Sequence, residues 1–70
     1  MPIVIAPENI DLKVTKILVD EKTKRHLENL GILVNAIITI LAKQDGNVII
    51  KIKDGRLALN KEIASKIFVA

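Results

Sequence analysis

Val48-Ile49-Ile50-Lys51-Ile52-Lys53-Asp54-Gly55-Arg56-Leu57-Ala58-Leu59 is the stretch whose reading decides the fold. Val48, Ile50 and Ile52 fall on one side of an extended segment and Ile49, Lys51 and Lys53 on the other, the period-two pattern of a half-buried strand. Asp54-Gly55 interrupts that pattern with the strongest turn signal in the chain, and Arg56 to Leu59 resumes it with Leu57 and Leu59 inward. The spacing predicts a hairpin closed by a two-residue type I′ turn. No helix fits between strands joined this tightly. A chain of 70 residues buries only about 60% of its unfolded surface, which predicts one small domain over residues 1–70.

Working upstream, Gln44-Asp45-Gly46-Asn47 reads as another hairpin loop. Ala36 to Leu41 reads as a strand that is apolar on both faces, Ile38 and Ile40 on one and Ile37 and Leu41 on the other, so both sides call for cover. Thr23 to Ile32 is the one helical segment. Thr23 is the expected N-cap, Leu27 and Leu30 share a face at i, i+3, and Gly31 supplies the left-handed residue that stops the helix, with Ile32 at the hydrophobic position of a Schellman motif. Asn35 tolerates positive φ and predicts a tight turn. Leu12 to Val19 is a strand whose apolar phase slips between Val14 and Ile17, which predicts a bulge. Ile3 to Ile5 reads as a short edge segment ended by Pro7, with Glu8, Asn9 and Ile10 turning into the first long strand. Downstream, Asn60 caps a single helical or 3-10 turn through Ile63 and Ala64, and Ile67-Phe68-Val69 is the last strand.

That order predicts a mostly β chain: a small SH3-like five-stranded barrel, with one short α-helix inserted between strands 1 and 2 and a 3-10 turn before the last strand. Closure, or near closure, hides sheet edges that so small a sheet otherwise exposes. The rival OB-fold places its helix between the third and fourth strands, where Asp54-Gly55 leaves no room.

Composition narrows the function. Half of the residues are hydrophobic but Phe68 is the only aromatic residue, so the core is built from Ile, Val and Leu. Eleven Lys and Arg against eight Asp and Glu give a net charge of +3. These are spread along the chain without a basic run, and stacking aromatics are missing, which argues against nucleic-acid binding. The absence of cysteine removes disulfides and thiolate metal sites and fits a reducing compartment, with the cytoplasm as the expected location. No apolar run approaches the ~18 residues of a bilayer span, and Met1 to Ala6 lacks the basic region of a signal peptide.

The chemistry-bearing residues do not form a catalytic set. His26 is the single histidine, and Glu28, two residues on, leaves a helix in another direction, so no metal ligands and no cofactor are expected. Asp20-Glu21 reads as a solvated loop pair, and there is no Ser/His/Asp arrangement, so the chain is expected not to be an enzyme. Asp45-Gly46 and Asp54-Gly55 are hairpin turns, since no helix N-terminus follows either glycine directly as a phosphate cradle requires.

From about Glu8 to Val69 the chain resembles the FeoA family of ferrous iron transport proteins. The resemblance is carried by Arg25-His26-Leu27 to Leu30-Gly31-Ile32, by Ile38-Thr39-Ile40-Leu41, by the Ile50 to Leu59 hairpin, and by Ala64 with Ile67 and Val69. Asn9 and Val34-Asn35 stand where the family usually has Gly and Pro-Gly, a substitution that keeps left-handed turns available. The resemblance implies a non-enzymatic cytosolic accessory that docks on FeoB, the membrane GTPase that transports ferrous iron, with a homo-oligomer also open. It ties the chain to transition-metal transport while assigning it no metal ligand of its own. The candidate partner-binding residues are Lys24, Arg25, Glu28 and Asn29 on the helix, and Ile37 and Ile49, which with Leu41 form an outward apolar patch unless the N-terminal segment folds over them. The alternative is a stand-alone relative of the C-terminal SH3-like domain of iron-dependent DtxR-type repressors, with an interaction or metal-regulatory role.

Overall fold

Five antiparallel strands form one sheet in the computed structural model, which describes all residues from Met1 to Ala70. The strands are β1 (Asp11–Ile17), β2 (Ile37–Gln44), β3 (Asn47–Ile52), β4 (Gly55–Leu59) and β5 (Ile67–Val69). Helix α1 (Glu21–Asn29) joins β1 to β2, and the short helix α2 (Lys61–Ala64) joins β4 to β5. The spatial order is β4-β3-β2-β1-β5. This is the SH3-like arrangement. The sheet curls around its core, but β4 and β5 are not hydrogen-bonded to each other, so the barrel stays open along that seam.

The curl comes from two irregularities. The register of β1 against β5 shifts between Val14 and Lys16, where the apolar phase of the sequence slips. A second shift lies in β2 between Ile40 and Ala42 against β3. Each extra residue bends its strand and increases the local twist, which wraps a small sheet around a core. Beyond its bulge β2 runs on to Gln44, three residues past the expected end, and Lys43 becomes half-buried with its Nζ donating to the Ala6 carbonyl oxygen.

All fourteen buried residues are apolar. They include Val14, Ile38, Ile40, Val48 and Ile50 from the sheet, Leu27 and Ile32 from the helix and its exit, and Ala64, Ile67 and Val69 near the C-terminus. Ile3 and Ala6 belong to the same cluster. The N-terminal segment is therefore core, and it is not the edge strand its composition suggested. Ile3–Ile5 forms a 3-10 turn, while Pro2 makes a lone bridge to Phe68 and Met1 exchanges backbone hydrogen bonds with Val69.

Two turn assignments change. Asp45 and Gly46 both have positive φ (54° and 84°) and lie between the paired residues Gln44 and Asn47, so the type I′ turn is here. At the other hairpin Ile52 pairs with Gly55, which puts Lys53 and Asp54 in the loop, and of the three only Gly55 has positive φ. Asn9 (φ 63°) and Asn35 (φ 79°) occupy left-handed turns as expected. The turn before β5 takes the helical alternative, with the Ala64 and Ser65 N–H groups donating to Asn60 and Lys61, and the Asn60 side chain accepts from the Ile63 N–H at 2.9 Å.

Candidate interaction surface

Helix α1 begins three residues earlier than expected. Asp20, not Thr23, is its N-cap, with Oδ1 accepting from the Thr23 N–H at 2.9 Å. Aspartate is at least as good a cap as threonine and adds a negative charge at the positive end of the helix dipole. Hydrogen bonding by Thr23, through its side chain and its backbone N–H, holds the Asp20 carboxyl below its ordinary pKa. The other end is a complete Schellman motif: Ile32 N–H donates to Leu27 at 2.9 Å and Gly31 N–H to Glu28 at 3.0 Å, with Gly31 at φ 97°. Leu27 is buried and anchors the helix, whereas Leu30, expected beside it, is exposed.

Lys24, Arg25, Glu28 and Asn29 are all exposed on this anchored helix, as is His26. From Asp20 to Asn29 three basic side chains stand against three acidic ones. The helix surface is mixed in charge.

The outer face of the sheet differs. Ile37 and Ile49 remain 53% and 45% exposed, and the N-terminal turn does not cover them; it packs against α2, β3 and β5 with Ile5 turned outward. The two residues line separate clefts. Ile37 sits with Gly31, Ala36, Thr39, Ile52, Lys51 and Lys53 around a cleft of about 470 Å³, and Ile49 with Ala42, Gln44 and Ala58 around another of about 450 Å³. Leu41 is half-buried. Pairing register adds what single-strand patterns lack: Lys13 lies opposite Ile37, and Arg56 opposite Lys51. The one acid lining the Ile37 cleft on β1, Asp11, accepts a hydrogen bond from the Thr39 hydroxyl at 3.2 Å.

A third hollow of about 270 Å³ lies between the two helix starts, lined by Asp20, Thr23, Asn60, Glu62 and Lys66, and the Glu62–Lys66 ion pair at 3.6 Å borders it. Both capping side chains there are already engaged by their own helices. No three His, Cys, Asp or Glu side chains lie close enough together to hold a metal ion.

The FeoA domain profile matches residues 1–70. The chain belongs to the FeoA domain family. Solved structures agree on the FeoA fold. A crystal structure of an iron uptake regulatory protein (FeoA) superposes with a TM-score of 0.87 at 23% identity, covering 99% of this chain and 93% of that one. The solution structure of FeoA from Chlorobium tepidum gives 0.87 at 18% identity, with 99% and 68% covered. A manganese-dependent transcriptional repressor gives 0.88 at 19% identity over 100% of this chain, which spans only 40% of the repressor. The FeoA fold is thus shared with one part of a larger regulator. No curated protein matches the sequence at a significant level.

Proposed function

We infer that this protein is a non-enzymatic cytosolic accessory of a bacterial ferrous iron transport system and acts by docking on a FeoB-type membrane GTPase. The observation that carries the reading is the FeoA domain match along the whole chain. The architecture is compatible with it: a rigid sheet presents one anchored helix and an uncovered outer face, and recognition residues are commonly mounted on such scaffolds. No helix is long and apolar enough to cross a membrane, so in this reading the chain meets the transporter from the aqueous side. The proposed contacts are Lys24, Arg25, Glu28 and Asn29 on α1, and Ile37 and Ile49 on the sheet.

The test is deletion of the reading frame with radiolabelled ferrous iron uptake as readout, paired with a pull-down against the transporter's cytosolic GTPase domain. Loss of uptake restored by complementation, together with capture, is expected. Unchanged uptake after deletion overturns the transport role. The second reading, an SH3-like module with an interaction or metal-regulatory role, is favoured by the repressor superposition. It predicts iron-dependent changes in transcript levels on deletion with uptake kinetics intact.

A further inference from the structure

Around the Ile37 cleft basic side chains outnumber acidic ones. Lys13, Lys51, Lys53 and Arg56 are exposed on neighbouring strands or the hairpin that follows them, and none forms an ion pair. Asp11 in the lining, whose carboxylate accepts from the Thr39 hydroxyl, and exposed Asp54 beside Lys53 offset two of these four charges and leave the patch net positive. The centre is aliphatic: half-exposed Ile37 beside the half-buried Ile52, in a concavity large enough for one or two side chains. Four unpaired cations, neighbouring ones roughly 5 to 10 Å apart by strand spacing, outweigh the two acids and create a positive potential, and the apolar floor gives no reason for a purely ionic ligand. A flat anionic membrane satisfies the charges but does not fill a concavity. An extended acidic segment satisfies both.

We propose that this outer face, Ile37 ringed by Lys13, Lys51, Lys53 and Arg56, is a docking site for an acidic peptide segment that places one aliphatic side chain in the cleft. Carboxylates on either side of that residue pair with the lysines and Arg56, and the aliphatic group covers Ile37 and Ile52. The site deepens the accessory reading by giving the partner a chemistry: an acidic stretch interrupted by Leu, Ile or Val. It rests on that reading only for the partner's identity, because the surface is read with a synthetic ligand.

The experiment is a titration of the full chain, isotopically labelled for amide NMR, with the peptide Asp-Glu-Asp-Leu-Glu-Asp-Glu. Saturable 1:1 shifts confined to Lys13, Gly31, Ile37, Thr39, Lys51 to Lys53 and Arg56 are expected. Lys51→Glu with Lys53→Glu should weaken binding on the order of tenfold, because attraction at two exposed pairs becomes repulsion. Ile37→Ser should remove the advantage of the Leu peptide over one with Gly in its place. Lys16→Glu with Lys22→Glu carries the same charge change at exposed positions outside the cleft lining and should leave affinity unchanged. Shifts that map to α1, equal weakening by both double reversals, or no binding at all overturn the site. Binding to phosphatidylglycerol vesicles without binding to the peptide overturns it in favour of a lipid surface. If the peptide binds as described while deletion leaves iron uptake intact, the site stands and the transport role falls; the converse result separates them the other way.

Discussion

Gly31→Ala tests whether the helix stop is a backbone requirement or a packing one. At Gly31 φ is +97°, and a Cβ built there meets nothing nearer than Ile52 Cδ1 at 3.7 Å, an ordinary contact. Crowding therefore contributes nothing, and the cost is the left-handed backbone itself, about 1–2 kcal/mol for an L-residue with a Cβ. Domains below 80 residues hold roughly 3–5 kcal/mol from a single core, so the loss is a large share of the total. With a urea m-value of about 1 kcal/mol/M for so small a chain, the unfolding midpoint should fall by roughly 1–2 M. Gly31→Asn, whose side chain tolerates this conformation, should cost clearly less than Gly31→Ala. An unchanged midpoint for the alanine variant refutes the reasoning, and so does an equal loss for both variants, since that indicates a steric or helix-exit effect unrelated to φ.

Gly46→Ala differs, because its Cβ would stand 2.6 Å from Lys61 Cγ and Cδ on top of a positive φ; it should cost more than Gly31→Ala, and Lys61→Ala in the same chain, which keeps only the Cβ at 3.0 Å, should recover part of the crowding cost, as read by thermal melts. Ile50→Ala empties a fully buried position on β3 at about 2–5 kcal/mol, comparable with the whole stability, so its amide spectrum should collapse at 25 °C while Ile50→Val, at about 0.5–1.5 kcal/mol, stays folded. Asp20 has a lowered folded pKa, so its stabilising share is complete above the unfolded value and disappears as pH falls through the folded one. Urea midpoints of Asp20→Asn should accordingly fall less than those of the parent from about pH 5 downward, and parallel curves would refute that.

How much of this was legible in the chain depended on the range of the interactions. Strand alternation, the Gly31 stop, the Asn60 cap and the slip in β1 are local, and each was readable from a few neighbouring residues. The left-handed Asn9 and Asn35 were equally accessible, because few other residues accept that conformation. The helix start was misplaced because Asp20 and Thr23 both carry capping oxygens three residues apart, and only the resolved geometry makes one the acceptor for the other. The β3–β4 turn failed for a longer-range reason. A register shifted by two residues keeps the same side chains inward, so alternation cannot distinguish the two; the observed one sets Val48 opposite Leu59 and buries both. The core role of Ile3 and Ala6 had no periodic signal, being a short run beside Pro7. The cationic surround of Ile37 joins residues from β1 to β4 and emerges only once register is known.

The two free margins of the sheet are unlike each other. Along β5 the margin is taken by Met1 and Pro2, whose backbone bonds Val69 and whose proline ring has no N–H to offer onward. Along β4 it is bare from Gly55 to Leu59. Head-to-tail stacking into a fibril needs a donor margin and an acceptor margin on every copy, and here one of them is sealed. Copies that met through β4 alone would form a closed two-fold pair. Met1 and Pro2 thus leave β4 as the margin of this sheet whose backbone groups are unpaired, and a Pro2→Val substitution would return a hydrogen-bond donor to the β5 side.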